Sequence, residues 1–492
     1  MAAAAGLLRN IIIGAEFGIG SDLDAYYAAF KVPDLLFAIV AGGALATAFI
    51  PVFADFLAQD DRTDAWRLAS AITNIVVLVV STAAVIVGLL APWLVRTVIA
   101  PGFSPAAQAE TVQVMRIVLV STVIFGISAV QGSVLHGFKH FLLPALGAAL
   151  YPLGIAAGAV FLAPTMGVAG LAIGAVVGSL LHLLIKVPAL IYYGFRWWPV
   201  LDLRTLAVRR VGVLMVPRIL DLAVFQLTLV AMTNLASRLG PGGVSSVEWG
   251  WDAMQLPETI IGTAFGLVAF PTLAELAARG AQSQLRSTLA ETLRSVIALT
   301  VPAAVGLILL GQPLLTLLYQ RGAFTAESTD AVYATLRFFA LGLVGHSCLE
   351  LAARAFFAQQ DTVTPLIVAV GSAVTNILLA ILLMQPLGAG GLALANSVAI
   401  TAEVLVLMAI LRRRWHGVEG RQILRTLIRV GLASLVMGGV VLAFLSAAQQ
   451  AGLPTLVILI AGGLVGVVTY IVAGLLFGVR EIRRLPAALF GR

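Results

Sequence analysis

The chain has 492 residues, of which 60% are hydrophobic and only 11% charged, and its mean hydropathy is +1.04. A soluble chain of this length needs far more charge to cover its surface, so the composition excludes a string of soluble domains and requires one membrane-embedded body. The net charge of +7 suits an anionic inner leaflet and gives no support to nucleic-acid binding. The single cysteine, Cys348, rules out an intramolecular disulfide and reads as a small packing residue.

In chain order the apolar runs predict fourteen spans, at 2–18, 31–57, 68–98, 110–135, 141–162, 168–193, 212–237, 247–276, 288–318, 331–357, 363–384, 390–411, 427–446 and 456–478. Crossing the hydrocarbon core takes about 20 apolar residues in a helix. Lipid leaves no partner for an unpaired backbone group, and long apolar runs do not read as alternating barrel strands, so the fold class is all-α and polytopic. The N-terminus lacks a charged region and a cleavage site and is read as a first span.

Polar residues within the spans carry the functional information, because charge in lipid is costly and faces a cavity or a partner. Arg9 lies in the first span, and Asp22, Asp24, Lys31 and Asp34 lie around the first outside loop and the start of the second. These read equally as cavity-lining or as structural groups. Arg218 and Asp221 share a helix face in the seventh span, and Glu350 and Arg354 have i,i+4 spacing in the tenth. Both pairs read first as structural salt bridges. Glu248, Asp252 and Glu258 begin the eighth span, and Glu403 stands in the twelfth. Val32-Pro33, Leu256-Pro257 and Val301-Pro302 are sites where a helix can kink.

The chain also repeats itself at one constant offset, with no gap needed. Pro92, Phe103, Arg116, Pro144, Gly170, Leu171 and Ala172 recur as Pro313, Phe324, Arg337, Pro365, Gly391, Leu392 and Ala393. Six spans separate each residue from its copy. Six is even, so the copies share one orientation, as in transporters built from parallel repeats. The expected organisation is an N-terminal lobe at 1–193, a linker at 194–211, a C-terminal lobe at 212–411, a basic linker at 412–426, and two extra spans with a basic tail at 427–492. With the N-terminus placed in the cytoplasm, 20 Lys/Arg fall on the inside and two, Arg238 and Arg321, on the outside. That bias is the positive-inside pattern.

No catalytic constellation appears. The histidines at 136, 140, 182, 346 and 416 lack metal-ligand spacing, and no P-loop glycine–lysine motif occurs, so the chain is read as a transporter without a cofactor of its own.

Several motifs carry a family resemblance. They are Asp24-Ala25-Tyr26-Tyr27-Ala28-Ala29-Phe30-Lys31-Val32-Pro33-Asp34-Leu35-Leu36, Ala48-Phe49-Ile50-Pro51-Val52-Phe53, Ala100-Pro101-Gly102-Phe103, Arg321-Gly322-Ala323-Phe324-Thr325, Arg354-Ala355-Phe356-Phe357-Ala358-Gln359-Gln360-Asp361-Thr362-Val363-Thr364-Pro365 and Gly391-Leu392-Ala393-Leu394-Ala395. Together they resemble the MurJ/MviN branch of the multidrug/oligosaccharidyl-lipid/polysaccharide exporter superfamily, the lipid II flippases. The resemblance implies fourteen spans in the bacterial cytoplasmic membrane with both termini in the cytoplasm. Two six-helix lobes would rock about a cationic cavity that holds the diphosphate and sugar-peptide head of lipid II, while the last two spans hold the polyprenyl tail. Arg9 matches a family arginine of the first span; Arg9, Asp24, Lys31, Asp34, Arg218 and Asp252 are the candidate substrate-binding residues, and membrane lipids are the other partners.

The chain departs from the family pattern at several positions. A family arginine falls at Ala3, another at Phe37 and a glutamate at Gly42, and the Asp-Arg pair that opens the eighth span is Trp251-Asp252. Of a family sodium site Asn376 and Asn396 remain, while its acidic positions are Met232 and Ala380. Three readings follow: a lipid II flippase with relocated phosphate contacts, an exporter of another polyprenyl-diphosphate-linked glycan or amphiphilic solute, and a non-transporting membrane scaffold. The topology is testable by cysteine labelling in a Cys348-free variant. Residues 106 and 389 are expected to label from outside intact cells, and labelling only after permeabilisation would overturn the assignment.

Overall fold

The computed structural model describes residues 2–40 and 43–482, apart from the side chains of residues 40, 43, 44, 217, 218 and 221. Eighteen α-helices run through the described residues. They are α1 (Ala2–Phe17), α2 (Ser21–Val40), α3 (Gly43–Ala58), α4 (Arg62–Leu94), α5 (Pro105–Gly137), α6 (Leu142–Phe161), α7 (Ala163–Met166), α8 (Val168–Leu184), α9 (Val187–Tyr192), α10 (Leu206–Ser237), α11 (Gly243–Glu258), α12 (Ala264–Ala278), α13 (Gln282–Tyr319), α14 (Ala326–Phe357), α15 (Val363–Leu387), α16 (Ala389–Arg414), α17 (Gly420–Gln450) and α18 (Thr455–Leu476). Two π-helical turns, Val95–Ile99 and Thr259–Thr263, follow α4 and α11.

Eleven stretches are long and apolar enough to cross a membrane. They correspond to the predicted spans except the first, second and seventh, and each of those three has a local reason. Helix α1 has 16 residues. The second predicted span divides into α2 and α3, and α2 begins at Ser21, so Asp22, Asp24, Lys31 and Asp34 all lie on one helix rather than around a loop. Helix α10 is basic in its first half, and its apolar part is Leu222–Ser237. Many helices outrun their apolar cores, because a helix that has satisfied its backbone in lipid continues into the headgroups without a break. The connections are accordingly short, and α16 and α17 are separated by residues 415–419 alone.

The internal repeat recurs in the backbone. Helices α5, α6 and α8 start at Pro105, Leu142 and Val168, and α14, α15 and α16 start at the copies of those positions, Ala326, Val363 and Ala389. Gly167 and Gly388 precede α8 and α16 with φ of 57° and 56°. Lys139 and Gln360, in the turns before α6 and α15, have φ of 58° and 61°. Equivalent residues adopting the same uncommon left-handed geometry make one turn design used twice. A methyl group at Gly170 would meet Leu162, and one at Gly391 would meet Leu383, the copy of Leu162 in the repeat.

The chain forms two compact units. The first comprises residues 1–245 with Arg321–Thr325. Within it, α6 and α8 approach backbone to backbone: a Cβ on Gly154 would strike Gly178, and one on Gly158 would strike Gly174. Lipid supplies no hydrophobic drive for helix association, so close van der Waals approach through small residues takes its place. One end of this unit is filled by stacked aromatics, Phe49 on Phe53, then Trp66, Phe138 and Tyr193. Asn74 of α4 donates to the carbonyls of Trp198 and Val200 and fastens the segment between α9 and α10.

The second unit comprises Ser246–Gln320 and Ala326–Arg492. Its core gathers Leu289, Val296, Leu351, Phe356, Leu407 and Trp415 from α13, α14, α16 and the turn after α16. Helices α17 and α18 dock on α13. Tyr470 donates to the carbonyl of Ala298 at 2.6 Å, and Arg294 of α13, 11% exposed, reaches Glu481 beyond α18 at 3.3 Å and Gln422 of α17. At the start of α15, Asp361 accepts from the backbone N–H groups of Val363 and Thr364 and from Arg414 at 2.5 Å.

Two stability predictions follow from this packing. Gly158→Leu is expected to cost about 1–3 kcal/mol by forcing α6 and α8 apart, whereas Gly212→Ala, with nothing within 4 Å, is expected to be nearly neutral. Equal melting temperatures for the two variants in detergent would refute the close-packing account. Partial burial pushes the Asp361 carboxyl up, but hydrogen bonds from Thr364 and the Arg414 guanidinium outweigh it and hold its pKa at about 2, below the ordinary 3.8. For a depressed carboxyl the stabilisation is complete above the unfolded value and is lost only as pH falls through about 2. Asp361→Ala should therefore lower stability by about 1 kcal/mol at neutral pH, by the same amount at mildly acidic pH, and an unchanged melting curve would exclude the capping role.

Candidate functional site

In the first unit the marked residues occupy α1 and α2. Asp24 is 1% exposed, and its carboxylate accepts from the backbone N–H groups of Gly242 and Ser245 and from the Ser245 hydroxyl, each at 2.7 Å. It thereby satisfies orphan donors in the first turn of α11, where the helix dipole also favours an anion. This carboxylate is engaged three times over by the protein itself, so its geometry is that of a clasp.

Arg9, half-buried on α1, donates through Nε and Nη2 to the amide oxygen of its neighbour Asn10, at 3.0 and 2.7 Å. Arg9 and Asp34 are close enough to Tyr26 and Tyr151 to act on both phenols electrostatically. The helices α1, α2 and α6 thus bring one cation, one acid and two buried phenols together. Lys31 is 7% exposed, one turn before the exposed Asp34 on α2.

Phe37 continues the path. Its ring packs on Phe125, which meets Tyr151 at 4.6 Å and His182 at 5.0 Å between centroids. Beyond His182 lies a buried ammonium that the sequence did not single out. Lys186, 2% exposed, donates to the carbonyl and hydroxyl of Ser128, both at 2.9 Å, and its Nζ stands 3.4–3.5 Å from the two ring nitrogens of His182. No carboxylate pairs with it among the described residues. Its only signal in the sequence was a lone lysine in an apolar span, and its partner on α5 is an ordinary serine that no spacing rule links to it.

Arg218 is on α10, but its side chain and that of Asp221 lie outside the described residues, as does Gly42. In the second unit Asp252 lies half-buried on α11 beside Trp251, whose ring packs edge-on against Phe339 and His346. His346 Nε2 in turn is 3.0 Å from Asn396 Oδ1. Asn376 is 3% exposed, and its Oδ1 is buried without a hydrogen-bond partner. A sodium ion is held by several hard oxygens, which can be carbonyl, amide, hydroxyl or carboxylate. The oxygen of Asn396 is occupied by His346, Ala380 is fully buried and offers none, and no cluster of His, Cys, Asp or Glu suited to a metal occurs among the described residues. No step is derived through the ion.

The comparisons with known proteins agree with this architecture. The family described as "Lipid II flippase MurJ" matches residues 13–462. The lipid II flippase MurJ of Burkholderia cenocepacia is 31% identical over 444 residues, covering 88% of this chain and 86% of its own. A Thermotoga maritima protein named "Probable lipid II flippase MurJ" is 27% identical and covers 98% of this chain and 94% of its own. Among solved structures, a lipid II flippase MurJ in an inward closed conformation has a TM-score of 0.81 at 22% identity, covering 100% of this chain and 98% of that one. An inward-facing multidrug resistance MATE family transporter of the MOP superfamily has a TM-score of 0.71 at 16% identity, over 85% and 95%. With the family matched over nearly its whole length and its fold shared with those transporters, the chain belongs to the MurJ family of lipid II flippases.

Proposed function

We propose that this protein translocates lipid II, the lipid-linked peptidoglycan precursor, across the bacterial inner membrane by alternating access, without catalysing a reaction. The observation that carries this reading is the family match over residues 13–462, on a chain whose helix starts recur at one constant offset. The repeat divides the chain into lobes at 1–193 and 212–411, with linkers at 194–211 and 412–426 and an additional helix pair at 427–492. Both termini face the cytoplasm, an orientation supported by the distribution of Lys and Arg over the loops.

Arg9 and Lys31 hold the diphosphate of the substrate, with Arg218 as a further cation and Asp34 setting the polarity beside them; Asp252 of the second unit is a further substrate contact. A diphosphate demands cationic donors, and its long hydrocarbon tail can stay in lipid. The phenols of Tyr26 and Tyr151 beside Arg9 offer hydrogen bonds to sugar hydroxyls. The Asp24 clasp on Gly242 and Ser245 opens and closes with the cycle, since a rocking motion that shifts α11 must break those three bonds. The charge that family members carry at position 37 is absent, and the ring there joins the aromatic path to His182. That path favours a second reading, transport of a different polyprenyl-diphosphate-linked glycan through a more apolar chamber.

Reconstituted protein distinguishes the two. Lys31→Ala and Arg9→Ala should each weaken lipid II binding about tenfold or more, the equivalent of losing about 1.5–3 kcal/mol of charge-assisted contact. Asp24→Asn should slow translocation while leaving binding near the wild-type level. Full binding by both alanine variants would remove these cations from the site. Tighter binding of a peptide-free undecaprenyl-diphosphate glycan than of lipid II would favour the second reading.

A further inference from the structure

The second unit contains a group of charges that the reading above leaves unused. Glu258 ends α11, and the π-helical turn Thr259–Thr263 follows it directly. Its carboxylate has only long contacts, to Thr263 at 3.4 Å and Thr259 at 3.5 Å. On α14, Arg354 donates to the carboxylate of Glu350 and, at 2.9 Å, to its carbonyl. Glu350 and Arg354 are the charged groups that act on Glu258. No ion pair joins Glu258 to a cation among the described residues. Two carboxylates and one guanidinium therefore leave one negative charge uncompensated between two helices long and apolar enough to cross a membrane. An i,i+4 pair such as Glu350–Arg354 is readily a structural salt bridge, but a third, unpaired charge at membrane depth is costly and typical of ion pathways.

Two further observations show that space is kept for this group. A Cβ on Gly266 would strike the Arg354 guanidinium, so that glycine seats it. One turn earlier, a Cβ on Gly262 would stand 2.8 Å from Glu258 Oε1 and 2.9 Å from Ser347 Cβ. Ser347 is fully buried, and its hydroxyl has no hydrogen-bond partner. A buried hydroxyl left unmatched normally costs about 1–3 kcal/mol, and here its residue packs against Gly262 together with the poorly bonded carboxylate. The π-turn adds a local break in helix hydrogen bonding of the kind that marks functional sites.

We propose that Glu258, Glu350 and Arg354 form a proton-exchange site in the second unit, with Ser347 as the acceptor that receives the hydroxyl of protonated Glu258. This rests on the reading of the chain as a transporter. Hydronium gives its proton to the carboxylate and leaves water, and the reverse step on the other side of the membrane returns it. The Glu350 side chain is 37% exposed and Arg354 18%, so Glu350 is the open end through which the proton enters. Protonation cancels the repulsion between the two acids and favours close packing of the π-turn on α14. Deprotonation favours separation, so the proton biases a two-state element. His346, one turn before Glu350, is held by Asn396 and Trp251 and stands outside the exchange.

Infrared difference spectra of the full-length protein in liposomes test the site without requiring transport. On lowering the pH from about 8 to about 6, where ordinary carboxyls stay almost wholly ionised, wild type should gain a protonated-carboxyl band. The band should be lost in Glu258→Gln and shifted in Glu350→Gln and Ser347→Ala. An unchanged band in all three variants would overturn the proposal. A wild-type band abolished by sodium at constant pH would overturn the proton in favour of an alkali cation. Lipid II translocation, measured in the same liposomes, should lose its pH dependence in Glu258→Gln while retaining substrate binding. A wild-type protein that shows the band but moves no lipid II would leave the site standing and remove the transport reading.

Discussion

Hydrocarbon offers no hydrogen-bond partner and almost no screening, and every other feature of this protein answers to that. Backbone groups must be satisfied within each segment, so the described residues fold as helices joined by short turns. Association between the helices cannot draw on a hydrophobic effect, because lipid is as apolar as the side chains. The glycine pairs Gly154–Gly178 and Gly158–Gly174 let backbones touch and recover dispersion energy instead. The same rule explains why the polar groups are few and most of them engaged.

A charge in such a medium is retained only with a partner or a task. Asp24 has three donors from the first turn of α11, Arg294 has Glu481 and Gln422, and Lys186 has Ser128 and His182. These arrangements cost desolvation and return hydrogen bonds of good geometry, which fix helix registry. Arg9, Lys31 and Asp34 are gathered on two adjoining helices in the first unit, and Glu258, Glu350 and Arg354 in the second. Each unit thus carries its own group of ionisable side chains.

Family membership and local chemistry pull in different directions at a few positions. The turn motifs kept by this chain are those that set backbone geometry, such as Gly388 with its left-handed conformation and Asp361 at the start of α15. At Phe37 and Trp251, where the resemblance implies charge, the rings pack on Phe125 in the first unit and on Phe339 and His346 in the second. Architecture and ligand chemistry are carried by different residues, so one can be preserved while the other drifts.

Much of this was legible in the amino-acid order alone. Hydropathy runs determined an all-helical membrane body, and the constant offset of the repeat determined a duplicated design whose turns and helix starts recur at that spacing. Both are local or periodic properties, and in lipid a helix follows from its own composition. The charged segment 22–34 was the exception, because a window that scores apolarity passes over a helix carrying Asp22, Asp24, Lys31 and Asp34, although its backbone bonds form just as well. Tertiary structure alone decided which charges meet. Asp24 finds Ser245 and Ser128 finds Lys186, each on a helix remote in the chain, and Gly262 lets Glu258 and Ser347 approach closely. Side-chain partnership depends on helix rotation and distance at the ångström scale, and no pattern of residue types along one strand of chain encodes either.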